Sequence, residues 1–343
     1  MRILIDAMGG DNAPEAVVRG AAAAAAEFGV DVVLIGQEER IRSVLSAAHV
    51  PEGGRVSVVD APEVITMEDD PATAVRRKKN ASMSVMLQML SRGEGDAAIS
   101  AGSTGALLSG ATLTVRRIPG VRRACFAPVI PNEGKGLLLA DCGANSECTP
   151  EYLLQFAYLA DIYAREVMGI ASPRIALLNI GAEDSKGGEL QKQTFALLQA
   201  EKEAGRLNFV GNLESSAIFS GVADVAVADG FAGNVLLKSI EGTAKFLMSR
   251  LKAAMTKNTK NKLAALALRD DLAALKGMLD ASEVGGTPLL GLRRCVIKAH
   301  GSSDERAIRS AVLQAVRCAE RDVTGIIEKN IGFMRIEKTQ EGE

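Results

Sequence analysis

Ile3-Leu4-Ile5-Asp6-Ala7-Met8-Gly9-Gly10-Asp11-Asn12-Ala13-Pro14 places an apolar run, a glycine-rich turn and a proline suited to a first helical turn in direct succession. The alanine run Ala21–Ala26 continues as strong helix former, and Val32–Ile35 is the next apolar run. Strand, turn, helix, strand is the unit of a parallel sheet covered on both faces. Working outward, further candidate strands lie at Val56–Val59, Ala97–Ile99, Gly136–Leu139, Ile175–Asn179, Leu207–Val210, Val225–Ala228 and Cys295–Lys298, with helical patterns between most of them. Thr149 reads as an N-cap ahead of Pro150, and Ser302-Ser303-Asp304-Glu305 as a capping box. The fold class is therefore α/β, a doubly wound and largely parallel sheet with helices on both faces. No repeat, low-complexity linker or composition break divides it, so residues 1–343 read as one domain.

Residues 243–279 interrupt this rhythm, because two helical patterns follow each other without a strand. Ala244, Leu247, Met248, Leu251 and Met255 form one apolar stripe, and Leu268, Leu272, Leu275 and Leu279 another. Thr256 to Lys262 joins them, which predicts a protruding helical hairpin with a basic tip.

Composition narrows the function. The 343 residues are 47% hydrophobic and 24% charged, ordinary for a globular chain with a large core. Forty Lys and Arg against forty-two Asp and Glu give a net charge of −2, without the basic field that nucleic acid requires. Five cysteines without a C-x-x-C pair fit reduced thiols and a cytoplasmic setting. Two histidines, His49 and His300, offer no metal-ligand spacing. The start lacks a signal-peptide pattern. The longest uncharged stretch, Ala97 to Val115, has nine Gly, Ser or Thr among nineteen residues, which suits a loop entering a helix rather than a membrane span.

In an open parallel sheet, ligands bind beyond the carboxyl ends of the strands. Six loops there are rich in Gly, Asn, Ser and Asp: residues 6–12, 100–105, 141–145, 179–183, 229–234 and 300–303. One such loop reads equally as a tight turn with a cap; six together read as an anion pocket of backbone N–H groups and helix N-termini. Neither G-x-x-x-x-G-K-[ST] nor G-x-G-x-x-G occurs, so the expected anion is small and no nucleotide cofactor is called for. Lys186, Lys238 and Lys298 accompany the loops, each readable also as a surface charge. His300 follows a strand at the rim and reads either as a site residue or as a structural histidine. There is no G-x-S-x-G elbow, and Cys142 reads as packing. Arg76-Arg77-Lys78-Lys79 is a solvated helix face or a dock for an acidic partner. Lys257, Lys260 and Lys262 beside Leu263 and Leu266 suit either anionic lipid or packing on a second subunit.

Taken in order, Asp6-Ala7-Met8-Gly9-Gly10-Asp11, Ser100-Ala101-Gly102-Ser103-Thr104-Gly105-Ala106, Asp141-Cys142-Gly143-Ala144-Asn145, Asn179-Ile180-Gly181-Ala182-Glu183 with Lys186-Gly187, Asp229-Gly230-Phe231-Ala232-Gly233-Asn234 with Leu237-Lys238, and Leu289-Leu290-Gly291-Leu292 leading to Ile297-Lys298-Ala299-His300-Gly301 closely resemble the bacterial phosphate acyltransferases of phospholipid synthesis. Two positions depart from that family, Ser103 where Asn is common and Arg294 where Gly is common. The resemblance implies a fold like that of phosphotransacetylases and isopropylmalate dehydrogenases. It further implies a cytoplasmic homodimer that moves an acyl group from acyl-[acyl-carrier protein] to inorganic phosphate. The acyl phosphate then feeds a glycerol-3-phosphate acyltransferase, and the hairpin touches membrane peripherally. On that footing Gly10, Ser103, Thr104, Asn145 and Lys238 are expected to bind phosphate or the oxyanion. His300, Lys186 and Asn234 are expected to act on the reacting atoms, with Asp6 and Asp229 fixing loops. No metal and no cofactor is expected. The rivals are an acyl-CoA phosphotransacetylase, a decarboxylating dehydrogenase and a non-catalytic scaffold.

Overall fold

Ile3, Leu4 and Ile5 are fully buried because strand β1 (Arg2–Asp6) has neighbours on both edges and helices on both faces. It pairs in parallel with β2 (Asp31–Gly36) and β4 (Ala97–Ser100). The computed structural model describes residues 1–51, 54–272, 277 and 285–334. The remaining elements of the first half are α1 (Glu15–Phe28), α2 (Glu38–Ala47), β3 (Val56–Asp60), α3 (Ala74–Arg77), α4 (Ser82–Ser91), α5 (Thr104–Thr114) and β5 (Cys125–Phe126). They are followed by β6 (Val129–Ile130), β7 (Leu137–Ala140), α6 (Pro150–Glu166), β8 (Ile175–Asn179), α7 (Glu189–Glu203), β9 (Phe209–Glu214) and β10 (Val225–Val227). Last come α8 (Gly230–Thr256), α9 (Thr259–Ala267), β11 (Thr287–Leu290), β12 (Cys295–Lys298), α10 (Glu305–Glu320) and α11 (Val323–Asn330).

The α/β class with largely parallel strands and helices on both faces is as expected, and the described strands divide into two sheets. One has the order β3-β2-β1-β4-β12-β11-β5 and the other β6-β7-β10-β8-β9. The chain crosses between them at Ala127-Pro128, where β5 ends one sheet and β6 begins the other. Both sheets are mainly parallel, with antiparallel pairs at β11–β12, β11–β5 and β6–β7. One cluster of buried side chains runs through both, from Ile3 and Val32 to Leu138, Ile175 and Phe209.

Sequence periodicity missed β5, β6 and β11 because two-residue strands carry no alternation and β11 contains Pro288. The small residues of α1 do more than favour helix. Gly20 faces α10 so closely that a Cβ there would sit 2.5 Å from the carbonyl oxygen of Glu305. Thr149 is the N-cap of α6, with Pro150 as its first residue. Pro14 stands one position before α1, and α10 is capped by Asp304, whose carboxylate accepts the Ala307 N–H at 2.9 Å, rather than by Ser302.

The hairpin also differs in extent. Helix α8 begins at Gly230 and runs 27 residues, and the turn into α9 is only Lys257-Asn258. Asn258 caps α9 by accepting the Asn261 N–H. Ala244, Met248, Leu251 and Met255 are half-buried, whereas Leu247, Leu263, Leu266 and Leu268 are exposed. Leu275 and Leu279 lie outside the described residues.

Candidate active site

Parallel register brings Asp6, Ser100 and Lys298 side by side at the carboxyl ends of β1, β4 and β12. Asp6 is buried and accepts from the Ser100 hydroxyl at 2.6 Å and the Met8 N–H at 3.2 Å. Burial holds its carboxyl above the usual carboxylate range. Ser100 Oγ in turn accepts the Gly102 N–H at 3.0 Å, so one buried carboxyl organises two loops. Gly10 has a φ of +105°, and a Cβ there would approach Ala101 and the Gly301 carbonyl at 3.0 Å. Asp11 N–H donates to Gly301 O at 2.7 Å, and the Asn12 amide reaches the carbonyls of Ser302 and Ser303. Loops 6–12, 100–105 and 300–303 are thereby locked together.

The second sheet contributes a facing wall. Asp141 is buried at the end of β7, accepting backbone N–H bonds from Phe126, Cys142, Ala144 and Asn145 and a side-chain bond from Asn145. Burial pushes its pKa up to about 6 against the pull of those donors. The N-terminus of α8 presses on this loop: a Cβ on Gly233 would lie 2.0 Å from the Asp141 carbonyl oxygen. Asp229 caps α8 through the Ala232 N–H at 2.8 Å.

Between the two walls lies an open cleft of about 510 Å³. Thr104, Asn234, Lys238, Lys245, Lys298 and His300 supply its polar lining with Glu241 and Asp304, and Phe126, Pro128, Val129, Leu237 and Met248 an apolar wall. Lys238 is paired with Glu241 at 2.9 Å. His300 Nδ1 accepts the Ser302 backbone N–H at 3.2 Å and lies 2.9 Å from the Ser302 hydroxyl. The neutral ring consequently carries its proton on Nε2. Burial, reinforced by Lys238, Lys298 and Lys245 against Glu241, lowers the His300 pKa and favours that neutral donor. Cys142 lines the cleft as well, but burial and Asp141 push its thiol up to about 12, which removes it as a nucleophile.

Of the residues singled out by sequence, Thr104, Asn234, Lys238, Lys298 and His300 line this cleft. Gly10, Asp6 and Asp229 sit in its supporting loops, and Ser103 caps α5 through the Ala106 N–H. Two of the expected residues lie otherwise engaged or outside the cleft. Asn145 gives its side-chain amide to Ala124 O at 2.8 Å and Asp141 at 3.0 Å, which leaves it no N–H for an anion. Lys186 is exposed on the loop after β8, 3.8 Å from Glu183, and is absent from the cleft lining. Lys245 and Glu241 went unnoticed because α8 begins earlier than its apolar pattern suggested; helix spacing from Asn234 and Lys238 was the usable signal. Among the described residues no group of three or more His, Cys, Asp or Glu is arranged to hold a metal.

A family model described as a fatty acid synthesis protein matches residues 1–325. The phosphate acyltransferase of Geobacillus thermodenitrificans is 50% identical over 333 residues, 96% of this chain and 99% of that protein. That of Clostridioides difficile is 43% identical over 332 residues, 96% of each chain. Among solved structures, a phosphotransacetylase from Streptococcus pyogenes matches with a TM-score of 0.63 and 20% identity, over 93% of this chain and 94% of that one. A 4-hydroxythreonine-4-phosphate dehydrogenase from Klebsiella pneumoniae gives 0.54 and 16%, over 93% and 99%. These last two likenesses concern fold alone.

Proposed function

The chain belongs to this fatty acid synthesis family of phosphate acyltransferases, acyl-transferring enzymes, and from that premise we propose that it moves a fatty acyl group from acyl-[acyl-carrier protein] to inorganic phosphate. The observation that carries this reading is the cleft itself, which sets cationic and neutral N–H and O–H donors against an apolar wall. Phosphate near neutral pH is largely a dianion, with a second pKa of about 6, and needs no strong base to attack a thioester. One phosphate oxygen forms a bond to the carbonyl carbon; the tetrahedral oxyanion collapses and the carbon–sulfur bond breaks. The thiolate departs and takes up the proton that the hydrogen phosphate carried, leaving acyl phosphate as a dianion and a free thiol. The protein's share is to orient the anion and to stabilise the oxyanion with fixed donors.

Thr104 Oγ1, the Asn234 amide and His300 Nε2–H are suited to the oxyanion, and Lys238 to charge compensation. As a neutral donor His300 orients and hydrogen-bonds; it is not the acid. Phe126, Val129, Leu237 and Met248 suit the acyl chain.

The same reading extends to partners. Pro71 packs against Gly105 beside Thr104, and α3, which carries Arg76 and Arg77, packs on α5, so this exposed basic patch adjoins the cleft rim where an acidic carrier would dock. No helix among the described residues is long and apolar enough to cross a membrane. Exposed Phe246, Leu247, Leu263 and Leu266 near Lys257, Lys260 and Lys262 suit peripheral contact with anionic lipid. Exposed Ile180, Phe231 and Val235 suit a homodimer contact. The product would pass to a glycerol-3-phosphate acyltransferase in the cytoplasm. Parallel kinetics on acyl-[acyl-carrier protein] and acyl-CoA test the donor: a higher kcat/KM for the carrier-bound acyl group is expected, and the reverse order overturns it.

A further inference from the structure

Lys298 is a buried amine without an ion-pair partner among the described residues. It closes β12 after the buried Val296 and Ile297 and precedes the buried Ala299, a stretch whose pattern otherwise asks for apolar side chains. Its Nζ donates to the carbonyl oxygen of Ala101 at 3.4 Å and to that of Ala299. No carboxylate among the described residues lies within ion-pair distance of it. The neighbouring Asp6 spends Oδ2 on Ser100.

An ammonium has three N–H donors, and two carbonyl dipoles solvate the charge without neutralising it. Leaving an ammonium buried and unpaired is costly, so such a group gives up its proton or takes an anion. Burial lowers the Lys298 pKa to about 8, which still leaves the ammonium mostly charged at neutral pH. The side chain lines the cleft, with Thr104 and His300 on the same lining and the glycine-rich loop 100–105 beside it. A lysine that merely strapped loop 101 to the strand end would gain nothing from facing that cleft.

We propose that Lys298 binds the phosphate substrate directly, its ammonium supplying the charge that the buried strand end lacks, which makes it a catalytic residue. This rests on the phosphate acyltransferase reading above. The bound dianion takes up the free N–H direction and restores local neutrality, while the two carbonyl bonds fix where the ammonium stands.

The test compares the full-length wild type with Lys298→Met and Lys298→Arg. Methionine keeps the apolar stem and removes the charge, so Lys298→Met is expected to melt no lower than wild type in phosphate-free buffer. Its KM for inorganic phosphate should rise on the order of 10- to 100-fold, the usual worth of a charged hydrogen bond, with the KM for the acyl donor within about 2-fold. Inorganic phosphate should raise the melting temperature of wild type and leave that of Lys298→Met unmoved. A phosphate KM within about 2-fold of wild type, with the same thermal gain, overturns the proposal. So does a Met variant that melts lower while its phosphate KM is unchanged, the signature of a strap. If Lys298→Met does not fold, Lys298→Arg decides: its displaced, planar head should raise phosphate KM alone, and an unchanged value counts against direct contact. Failure of the enzyme reading looks different, since wild type itself would then transfer no acyl group, while its phosphate-induced melting shift would still report on Lys298.

Discussion

The backbone N–H of Ser302 donates to Nδ1 of His300 at 3.2 Å, two residues away on the same loop. That bond assigns the proton of the neutral ring to Nε2 and fixes the direction in which it donates, and burial favours the neutral form. His300→Ala should lower kcat roughly 100-fold, in line with loss of one oxyanion donor, while His300→Gln, which keeps an N–H, should recover about a tenth or more of wild-type activity. Steady-state kinetics on the two variants check this. Equal loss in both would point to a need for an imidazolium instead.

Lys238 and Lys186 offer a paired comparison. Lys238 stands in the cleft lining, whereas Lys186 lies outside it beside Glu183. Lys238→Met should lower kcat/KM for phosphate about 10-fold or more, and Lys186→Met less than about 3-fold. A larger effect at Lys186 than at Lys238 would contradict the cleft as drawn.

Phosphate affinity should fall as pH rises above about 8, the pKa to which burial brings Lys298. Asp6 and Asp11 act to raise that value and Lys238 to lower it. Glu241, Lys245, His300 and Asp304 share the cleft. The sign for stability follows from the same shift. Because an unfolded lysine titrates near 10.5, the unfolded chain holds more protons between about pH 8 and 10.5, so the Lys298 contribution makes folding more favourable across that window as pH rises. Lys298→Arg should abolish the rise in phosphate KM above pH 8, measured as initial rates against pH; persistence of the rise would assign it to another group.

Much of the fold was legible because β1, β2, β4, β8 and β12 are apolar runs set between helical patterns. The division into two sheets was not, since it turns on β5 and β6, two residues each and too short to show alternation, of which β5 pairs with the distant β11 and β6 with the neighbouring β7. Thr104, Asn234, Lys238 and His300 could be placed near the cleft because they lie in the loops after strands or in the first turns of the helices that those loops enter. Asn145 shows the limit of that logic: its loop is in the right place, but Asp141 claims its amide. Lys298 shows the converse: its place at a strand end marked it beside the loops, but only its burial separates it from a surface charge.

The join between the two walls is tightest at Gly233. Gly233→Ala would drive a Cβ into the Asp141 carbonyl, a backbone atom that cannot swing aside. A loss of about 3 kcal/mol or more is expected, read by chemical denaturation, with the cleft distorted as a result. Stability within about 0.5 kcal/mol of wild type would show that the join has more room than the geometry indicates.

Docking of the carrier is tested by reversing Arg76 and Arg77 to Glu. Exposed charges steer association, so KM for the acyl-carrier substrate should rise about 10-fold while an acyl-CoA analogue is unaffected. Equal changes for both donors would remove this patch as the dock.

Acyl transfer to phosphate is read by following free carrier thiol released from long-chain acyl-[acyl-carrier protein] by the purified protein, with and without inorganic phosphate, while hydroxylamine traps acyl phosphate. Thiol release that requires phosphate and yields acyl hydroxamate in equal amount is the predicted result. Release at the same rate without phosphate, or none with it, would contradict the account.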